Sequence, residues 1–220
     1  MEFLIEYLPE ILNGFILTVE FTIAGVMLGL LLGTILAIGD LYGGRAISAL
    51  IRVYVEFFRG SPIIIQLLLF WFTFPSLLNI IPNPFVVGTL VFTMNSAAYQ
   101  KGYIKGAMEA VFEDQMTAGL SIGMTKAQTI FYVILPQALR LVIPAWSNEF
   151  ASLTKSTPGL LIISVMELAG VARGIVSLTF RSLETYGFVA LIYLAWISAV
   201  AKIADVLYER WKIPGIEISV

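Results

Sequence analysis

Five polar or ionisable side chains lie inside stretches of the chain that are otherwise apolar: Asn95, Ser96, Asn148, Glu149 and Lys155. A polar or charged group at membrane depth is costly, and it usually faces the interior of a helix bundle or an aqueous cavity. An amide, a hydroxyl, a carboxylate and an ammonium group can match a charged or zwitterionic solute. The pattern therefore predicts a substrate path lined by these five residues.

Each of the five has a second interpretation. Asn95 and Ser96 could simply hydrogen-bond a neighbouring helix. Glu149 and Lys155 could neutralise each other, or their side chains could extend to a membrane interface. The sequence leaves both interpretations open.

The composition fixes the class of protein. The 220 residues are 59% hydrophobic and 13% charged, with a mean hydropathy of +0.91, which predicts an all-α integral membrane protein. We expect one transmembrane domain, residues 1–220, with no nucleic-acid partner. The absence of His and Cys excludes a thiol nucleophile, haem ligation and the usual zinc sites. Residues 1–10 lack the basic start of a cleavable signal peptide, so the first apolar run is expected to be retained.

Apolar runs approaching the ~20 residues that cross a bilayer predict five membrane spans: residues 11–38, 63–78, 85–99, 138–153 and 186–207. Residues 160–168 are too few to cross and predict a re-entrant or surface helix. In the first span Gly25, Gly29 and Gly33 recur every four residues. This spacing predicts a helix face that another backbone approaches closely.

Basic residues predict the orientation. Most of them fall on one side of the membrane if the N-terminus is outside: Arg45, Arg52, Arg59, Lys101, Lys105, Lys126, Arg140, Lys202, Arg210 and Lys212. Cytoplasmic loops carry an excess of Lys and Arg. We therefore expect a multi-pass protein with its N-terminus outside and its C-terminus in the cytoplasm.

The polar segment 101–137 predicts two short helices joined at a glycine. Apolar side chains recur every four residues at Met108, Phe112, Met116 and Leu120. Gly123 allows a left-handed turn, and Thr125 and Gln128 have the spacing of a capping box that begins a helix over 126–135. Periodicity alone leaves open whether this segment lies on lipid or docks a partner.

The residue spacing within this segment resembles a known family. The segment contains Thr117-Ala118-Gly119, then Gly123, then Val133 with Leu135-Pro136. This order and spacing resemble the EAA loop of the permease subunits of ABC importers. Further motifs look like those of the polar amino acid branch: Glu56-Phe57-Phe58-Arg59-Gly60-Ser61-Pro62 with Gln66, Ser96-Ala97-Ala98-Tyr99, Leu135-Pro136-Gln137-Ala138, Pro144, Asn148 and Lys155-Ser156-Thr157. The resemblance covers nearly the whole chain. The chain departs from the pattern where the family usually has Glu-Ala-Ala, since Thr117 replaces the glutamate.

The resemblance implies a type I ABC permease fold with a cytoplasmic coupling helix, and import of a polar amino acid by alternating access. It implies a second permease subunit, identical or related, two P-loop ATPase subunits that bind ATP and Mg²⁺, and an extracellular solute-binding protein. This chain has no P-loop motif. We therefore expect that it is not an enzyme and that it binds no cofactor itself. The residues implied in ATPase coupling are Met116, Thr117, Ala118, Gly119, Leu120, Gly123 and Pro136.

Two other functions stay open. An ABC permease for another small organic solute, such as a quaternary amine or a peptide fragment, would share the same motifs. A secondary transporter would also carry intramembrane charges, but such carriers usually contain internal repeats, and none is visible in the sequence.

Overall fold

The computed structural model describes residues 2–212, apart from the side chains of residues 2, 4, 112 and 113. Every regular element of this part is a helix, which confirms the all-α prediction. The α-helices are α1 (Glu2–Glu6), α2 (Leu8–Tyr42), α3 (Gly44–Gly60), α4 (Ile63–Leu68), α5 (Phe74–Leu78), α6 (Pro84–Ser121), α7 (Lys126–Thr129), α8 (Leu135–Leu141), α9 (Ile143–Ser156), α10 (Leu168–Thr179) and α11 (Ser182–Trp211). Two π-helical turns, Leu69–Thr73 and Ile130–Ile134, join α4 to α5 and α7 to α8, and a 3-10 helix, Thr157–Ile163, follows α9.

Helix length and composition give the candidate membrane spans among residues 2–212. Helices α2 and α11 are each long and apolar enough to cross a membrane, which agrees with the first and fifth predicted spans. Two bent pairs raise the number to four if each pair is one span. These pairs are α3 with the α4–α5 segment, bent by 108°, and the α7–α8 segment with α9 and the 3-10 helix, bent by 57°. The predicted fourth span is therefore interrupted at Val142, between α8 and α9.

Helices α2 and α6 form the central pair of the fold. A Cβ added to Gly29 would lie 2.9 Å from the Cβ of Ser96, and one added to Gly33 would lie 3.1 Å from the carbonyl oxygen of Ala97. A larger residue at either glycine would push the two helices apart. The close backbone approach predicted from the four-residue glycine spacing is confirmed.

Helix α6 is longer than the sequence predicts. It has 38 residues and includes both the predicted span 85–99 and the first of the two predicted short helices. The expectation of a separate helix after residue 101 is wrong, because the polar residues there continue the helix without a break. After α6 the chain reverses at Gly123, which has a φ of +86°, as predicted.

The returning arm begins as predicted. The hydroxyl of Thr125 accepts a hydrogen bond from the Gln128 backbone N–H at 3.3 Å, and the Gln128 side-chain oxygen accepts one from the Thr125 N–H at 2.8 Å. This capping box starts α7, which continues through the π-helical turn into α8. We call the second half of α6, the turn and α7–α8 the hairpin. Its arms share an apolar core that includes Met108, Met116 and Ile134.

The segment after α9 alternates between buried and exposed residues. Leu160 and Ile163 of the 3-10 helix are fully buried, whereas Ile162 and Met166 are exposed, so the re-entrant or surface helix predicted for residues 160–168 stays a prediction. Helix α10, by contrast, was not predicted from the sequence. Its N-cap is Glu167, a fully buried carboxylate that accepts hydrogen bonds from Thr18 in α2 at 3.1 Å and from Tyr193 in α11 at 2.8 Å. This junction ties the start of α10 to α2 and α11.

Candidate functional site

The break between α3 and α4 leaves backbone carbonyl groups without helical partners, and two side chains, Gln66 and Asn95, donate hydrogen bonds to them. Ser61 and Pro62 are extended, so the last carbonyls of α3 have no intrahelical partners. The amide nitrogen of Gln66 donates to the carbonyl of Phe58 at 2.9 Å and to that of Ser61 at 3.0 Å. Asn95 of α6 donates to the same Phe58 carbonyl at 3.1 Å and to Gln66 at 3.1 Å. The break is therefore a fixed feature of the fold.

Asn95 makes the hydrogen bonds to neighbouring helices that the alternative interpretation required, whereas the Gln100 side chain that donates to Ser96 lies in the same helix, α6. Ser96 is fully buried against α2 and accepts a hydrogen bond from Gln100 at 2.9 Å. Asn95 does more than brace the break, because it also lines a cavity beside it. Of these two predicted path residues, only Asn95 reaches that space.

The cavity at the helix break has a volume of about 350 Å³. It lies between the end of α3, the middle of α6 and α9, and charged or polar side chains face it from all three: Arg59, Asn95, Tyr99, Glu149, Ser152 and Ser156. The Arg59 guanidinium lies 5.1 Å from the centre of the Tyr99 ring, within cation–π range. Arg59, which the sequence analysis used as one of the basic residues that predict the orientation, thus also lines the cavity.

Glu149 places a carboxyl group at the same cavity. It is only 4% exposed and lies near the Ser96 hydroxyl and the Arg59 guanidinium. Within the described residues it forms no salt bridge with Arg59 or with Lys155. The alternative in which Glu149 and Lys155 neutralise each other is therefore wrong. The cavity is lined by a guanidinium and a carboxyl group that are not directly paired.

The other two predicted path residues face elsewhere. Asn148 and Lys155 are exposed and do not line the cavity, although Ser152, which does, lies between them on α9. Asn148, Ser152 and Lys155 are spaced by four and three residues, so they form one stripe along the helix. We call this the polar stripe of α9. No residue that the structure describes in this chain covers the stripe.

The hairpin divides the seven predicted coupling residues into two groups. Met116 and Gly119 are buried between its arms, whereas the others are exposed: Thr117, Ala118, Leu120, Gly123 and Pro136. A Cβ on Gly119 would lie 2.6 Å from two atoms of Thr129, so this glycine sets the separation of the arms. Large apolar side chains are exposed near the turn, among them Leu120, Ile122 and Tyr132.

A charge cluster that the sequence analysis did not predict holds the base of the hairpin. Asp40, at the end of α2, is nearly buried and lies 2.6 Å from the Lys101 ammonium and 2.8 Å from that of Lys105. Ser48 of α3 donates to the same carboxylate at 2.5 Å. The cluster ties α2, α3 and α6 together. Among the described residues no group of His, Cys, Asp and Glu is placed to hold a metal ion.

Comparison with known proteins agrees with the fold and the motifs. The sequence profile of the family described as "Binding-protein-dependent transport system inner membrane component" matches residues 7–213. The chain is similar to the glutamine transport system permease protein GlnP of Escherichia coli strain K12, with 30% identity over 207 residues that cover 94% of each chain. It is 36% identical to the L-cystine transport system permease protein TcyB of Bacillus subtilis over 163 residues, which cover 74% of this chain and 69% of TcyB.

Solved structures give the same result. A chain in the crystal structure of an amino acid ABC transporter with histidines matches with a TM-score of 0.84 and 30% identity, over 94% of this chain and 96% of that one. An inward-facing structure of the MetNI methionine ABC transporter matches with a TM-score of 0.69 over 91% and 93% of the two chains. At 15% identity this second likeness concerns the fold alone.

Proposed function

This chain belongs to the family of binding-protein-dependent transport system inner membrane components, the permease subunits of ABC importers, and we propose that it imports a polar amino acid. The energy comes from ATP hydrolysed by separate ATPase subunits, and transport proceeds by alternating access across the cytoplasmic membrane. The names of the relatives, which include glutamine and cystine permeases, support this substrate class.

The observation that carries the proposal is the pair of opposite charges in one cavity. An amino acid has a carboxylate and an ammonium group one carbon apart, whatever its side chain. Arg59 can bind the carboxylate through its planar guanidinium, and Glu149 can accept hydrogen bonds from the ammonium group. Because the two residues are not paired with each other, a zwitterion can bridge them without breaking a salt bridge.

The position of the cavity supports a transport site. Non-helical backbone at membrane depth is tolerated where it is buried in protein or lines an aqueous cavity. Transporter sites are often formed where a membrane helix is interrupted. Here the interruption at Ser61 and Pro62 lines the cavity directly, and Asn95 and Gln66 hold it open.

The uncovered surfaces support the proposed partners. The polar stripe of α9 carries a lysine and an amide at membrane depth, and such groups face a bundle interior or water. A second permease subunit, identical or related, would enclose the stripe between two chains. The exposed apolar tip of the hairpin, with Leu120, Ile122 and Tyr132, is suited to a groove on an ATPase subunit. ATP and Mg²⁺ belong to those subunits, and an extracellular solute-binding protein delivers the substrate.

The proposed orientation places the N-terminus outside and the hairpin in the cytoplasm. The basic residues support it, because Lys101 and Lys105 lie at the base of the hairpin and Lys126 lies near its turn. The C-terminus itself, residues 213–220, lies outside the described residues. It is proposed to be cytoplasmic because it follows α11 at its basic end.

A second candidate substrate is another small zwitterion, such as a quaternary amine with a carboxylate. Arg59 would hold its carboxylate equally well. A quaternary amine cannot donate a hydrogen bond to Glu149, but it can lie over an aromatic ring, and Tyr99 lines the same cavity.

Transport by the reconstituted transporter tests both candidates. With its ATPase subunits and binding protein in lipid vesicles, Glu149→Gln should weaken amino acid uptake roughly 10- to 100-fold, the size expected for loss of one charged hydrogen bond. Glu56→Gln is the matched control, because Glu56 is an exposed carboxylate on α3 outside the cavity. If Glu149→Gln and Arg59→Gln transport every amino acid normally, the cavity is not the site. Faster uptake of a quaternary amine than of any amino acid by the unmodified protein would favour the second candidate.

A further inference from the structure

An apolar groove runs along the outside of the bundle between α2, α9 and α11. Its volume is about 540 Å³, and the side chains that line it are apolar or aromatic, including Met27, Phe150, Trp196 and Leu207. Five lining residues of α11 share one face, at positions 196, 200, 203, 207 and 211. With a rise of 1.5 Å per residue, this face is about 22 Å long. One leaflet of the hydrocarbon core is about 15 Å thick, so the groove is long enough for one acyl chain.

A basic pocket continues the groove at the end of α11. It has a volume of about 460 Å³ and contains Arg140, Arg210 and Lys212. Leu139, Ile143 and Trp211 line both spaces, so groove and pocket are one continuous depression. A tryptophan and basic residues at the end of a membrane helix are typical of the headgroup level of a bilayer.

The charges of the pocket favour an anionic ligand. Lys212 forms a salt bridge with Glu209 at 2.6 Å. Arg140 and Arg210 form no salt bridge and no hydrogen bond between their side chains and any residue that the structure describes. Two guanidinium groups in one pocket, with a single carboxylate beside the lysine, leave a net positive charge there.

The depression faces away from the surface that we assign to the second permease subunit. On α9 it is lined by Trp146 and Phe150, whereas the polar stripe contains Asn148 and Lys155. At 3.6 residues per turn these two sets lie on roughly opposite sides of the helix. The groove is therefore on the side of the bundle that lipid covers.

We propose that this depression is a binding site for one anionic phospholipid. Its acyl chain lies in the groove between α2, α9 and α11, and its phosphate lies between Arg140 and Arg210. Basic pockets between membrane helices at the cytoplasmic side are suited to such headgroups. The site is distinct from the cavity at Arg59 and Glu149, and it does not depend on which solute the protein transports.

Native mass spectrometry of the purified full-length chain in detergent tests the proposal, with phosphatidylglycerol as the anionic probe and phosphatidylcholine as the zwitterionic one. Each basic side chain near an anionic lipid contributes about fivefold in affinity, so two should give roughly a 25-fold preference for phosphatidylglycerol. Arg140→Gln combined with Arg210→Gln should abolish the preference. Lys202→Gln is the matched control, because Lys202 is an exposed cation on α11 that lines neither space, and it should retain the preference.

A second variant tests the groove separately. Leu207→Trp fills part of the groove and should lower the affinity for both lipids by a similar factor, while the preference for the anionic lipid persists. Unchanged binding of both lipids by this variant would overturn the assignment of the acyl chain.

Three further results would overturn the assignment of the ligand as an anionic phospholipid. Equal affinity of the unmodified chain for the two lipids would show that the arginines do not select a headgroup. Full displacement of phosphatidylglycerol by glycerol phosphate would show a pocket for a soluble phosphate. Loss of the preference when the ATPase subunits and the second permease subunit are present would show that the pocket belongs to a protein interface.

Discussion

Replacing Gly119 with alanine should separate the two arms of the hairpin. The added Cβ would lie 2.6 Å from both Cγ2 and Oγ1 of Thr129, whereas carbon atoms in contact prefer about 3.5–4.0 Å. The arms must therefore move apart by about 1 Å. Thr129 cannot simply rotate away, because it is fully buried, its β-branched side chain is stiff, and its hydroxyl donates to the Thr125 carbonyl at 3.1 Å.

The cost of this change can be compared with the energy that the hairpin is proposed to transmit. Overpacking a tight contact typically costs about 1–3 kcal/mol, and coupling between two sites is of the same size, about 1–3 kcal/mol. Gly119→Ala should therefore lower the thermal unfolding midpoint of the purified protein. It should also reduce the amount of substrate transported per ATP hydrolysed, roughly tenfold, in vesicles that contain the complete transporter.

Two matched variants make the experiment specific. Gly106→Ala lies in the same helix and has open space at its Cβ position, so it should be neutral or stabilising by up to about 1 kcal/mol. Thr129→Ala removes both clashing atoms, so in the Gly119→Ala background it should restore most of the unfolding midpoint. If Gly119→Ala behaves like Gly106→Ala, the arms are not rigidly packed and the reasoning fails.

Two more predictions concern the turn and the topology. Gly123 has a φ of +86° with no atom within 4 Å of an added Cβ, so Gly123→Val should cost only the roughly 1–2 kcal/mol of left-handed strain. The variant should insert into the membrane normally but show weaker ATPase-coupled transport. Normal coupling would show that the turn is not the point where the ATPase docks. The chain has no native cysteine, so single cysteines can report the topology. A cysteine that replaces Asn83 should react with an impermeant reagent added outside intact cells, and one that replaces Lys126 should not. The reverse pattern would contradict the proposed orientation.

The features that local sequence could predict are those governed by near neighbours. The capping box of Thr125 and Gln128, the left-handed turn at Gly123 and the packing face of Gly29 and Gly33 all follow from spacing within one helix or turn. The structure confirms each of them.

The features that were missed depend on contacts between distant segments. Polar residues after Lys101 suggest that an apolar helix has ended, yet α6 continues because Ile104 and Met108 pack against the returning arm. Arg59 and Glu149 are 90 positions apart in the sequence, so no local pattern could place them in one cavity. The exposure of Asn148 and Lys155 on a different side of α9 likewise depends on which helices pack against it.

The continuity of α6 restricts how the length of the chain can vary. Ser96, packed against Gly29, and Gly119, packed against Thr129, lie on the same uninterrupted helix, 23 residues and about 35 Å apart. One inserted residue would turn the hairpin by about 100° relative to α2, whereas seven would complete about two full turns and restore the phase. Between these two contacts the number of residues is therefore constrained independently of their identity, whereas the loop at residues 79–83 does not have to preserve a helical phase.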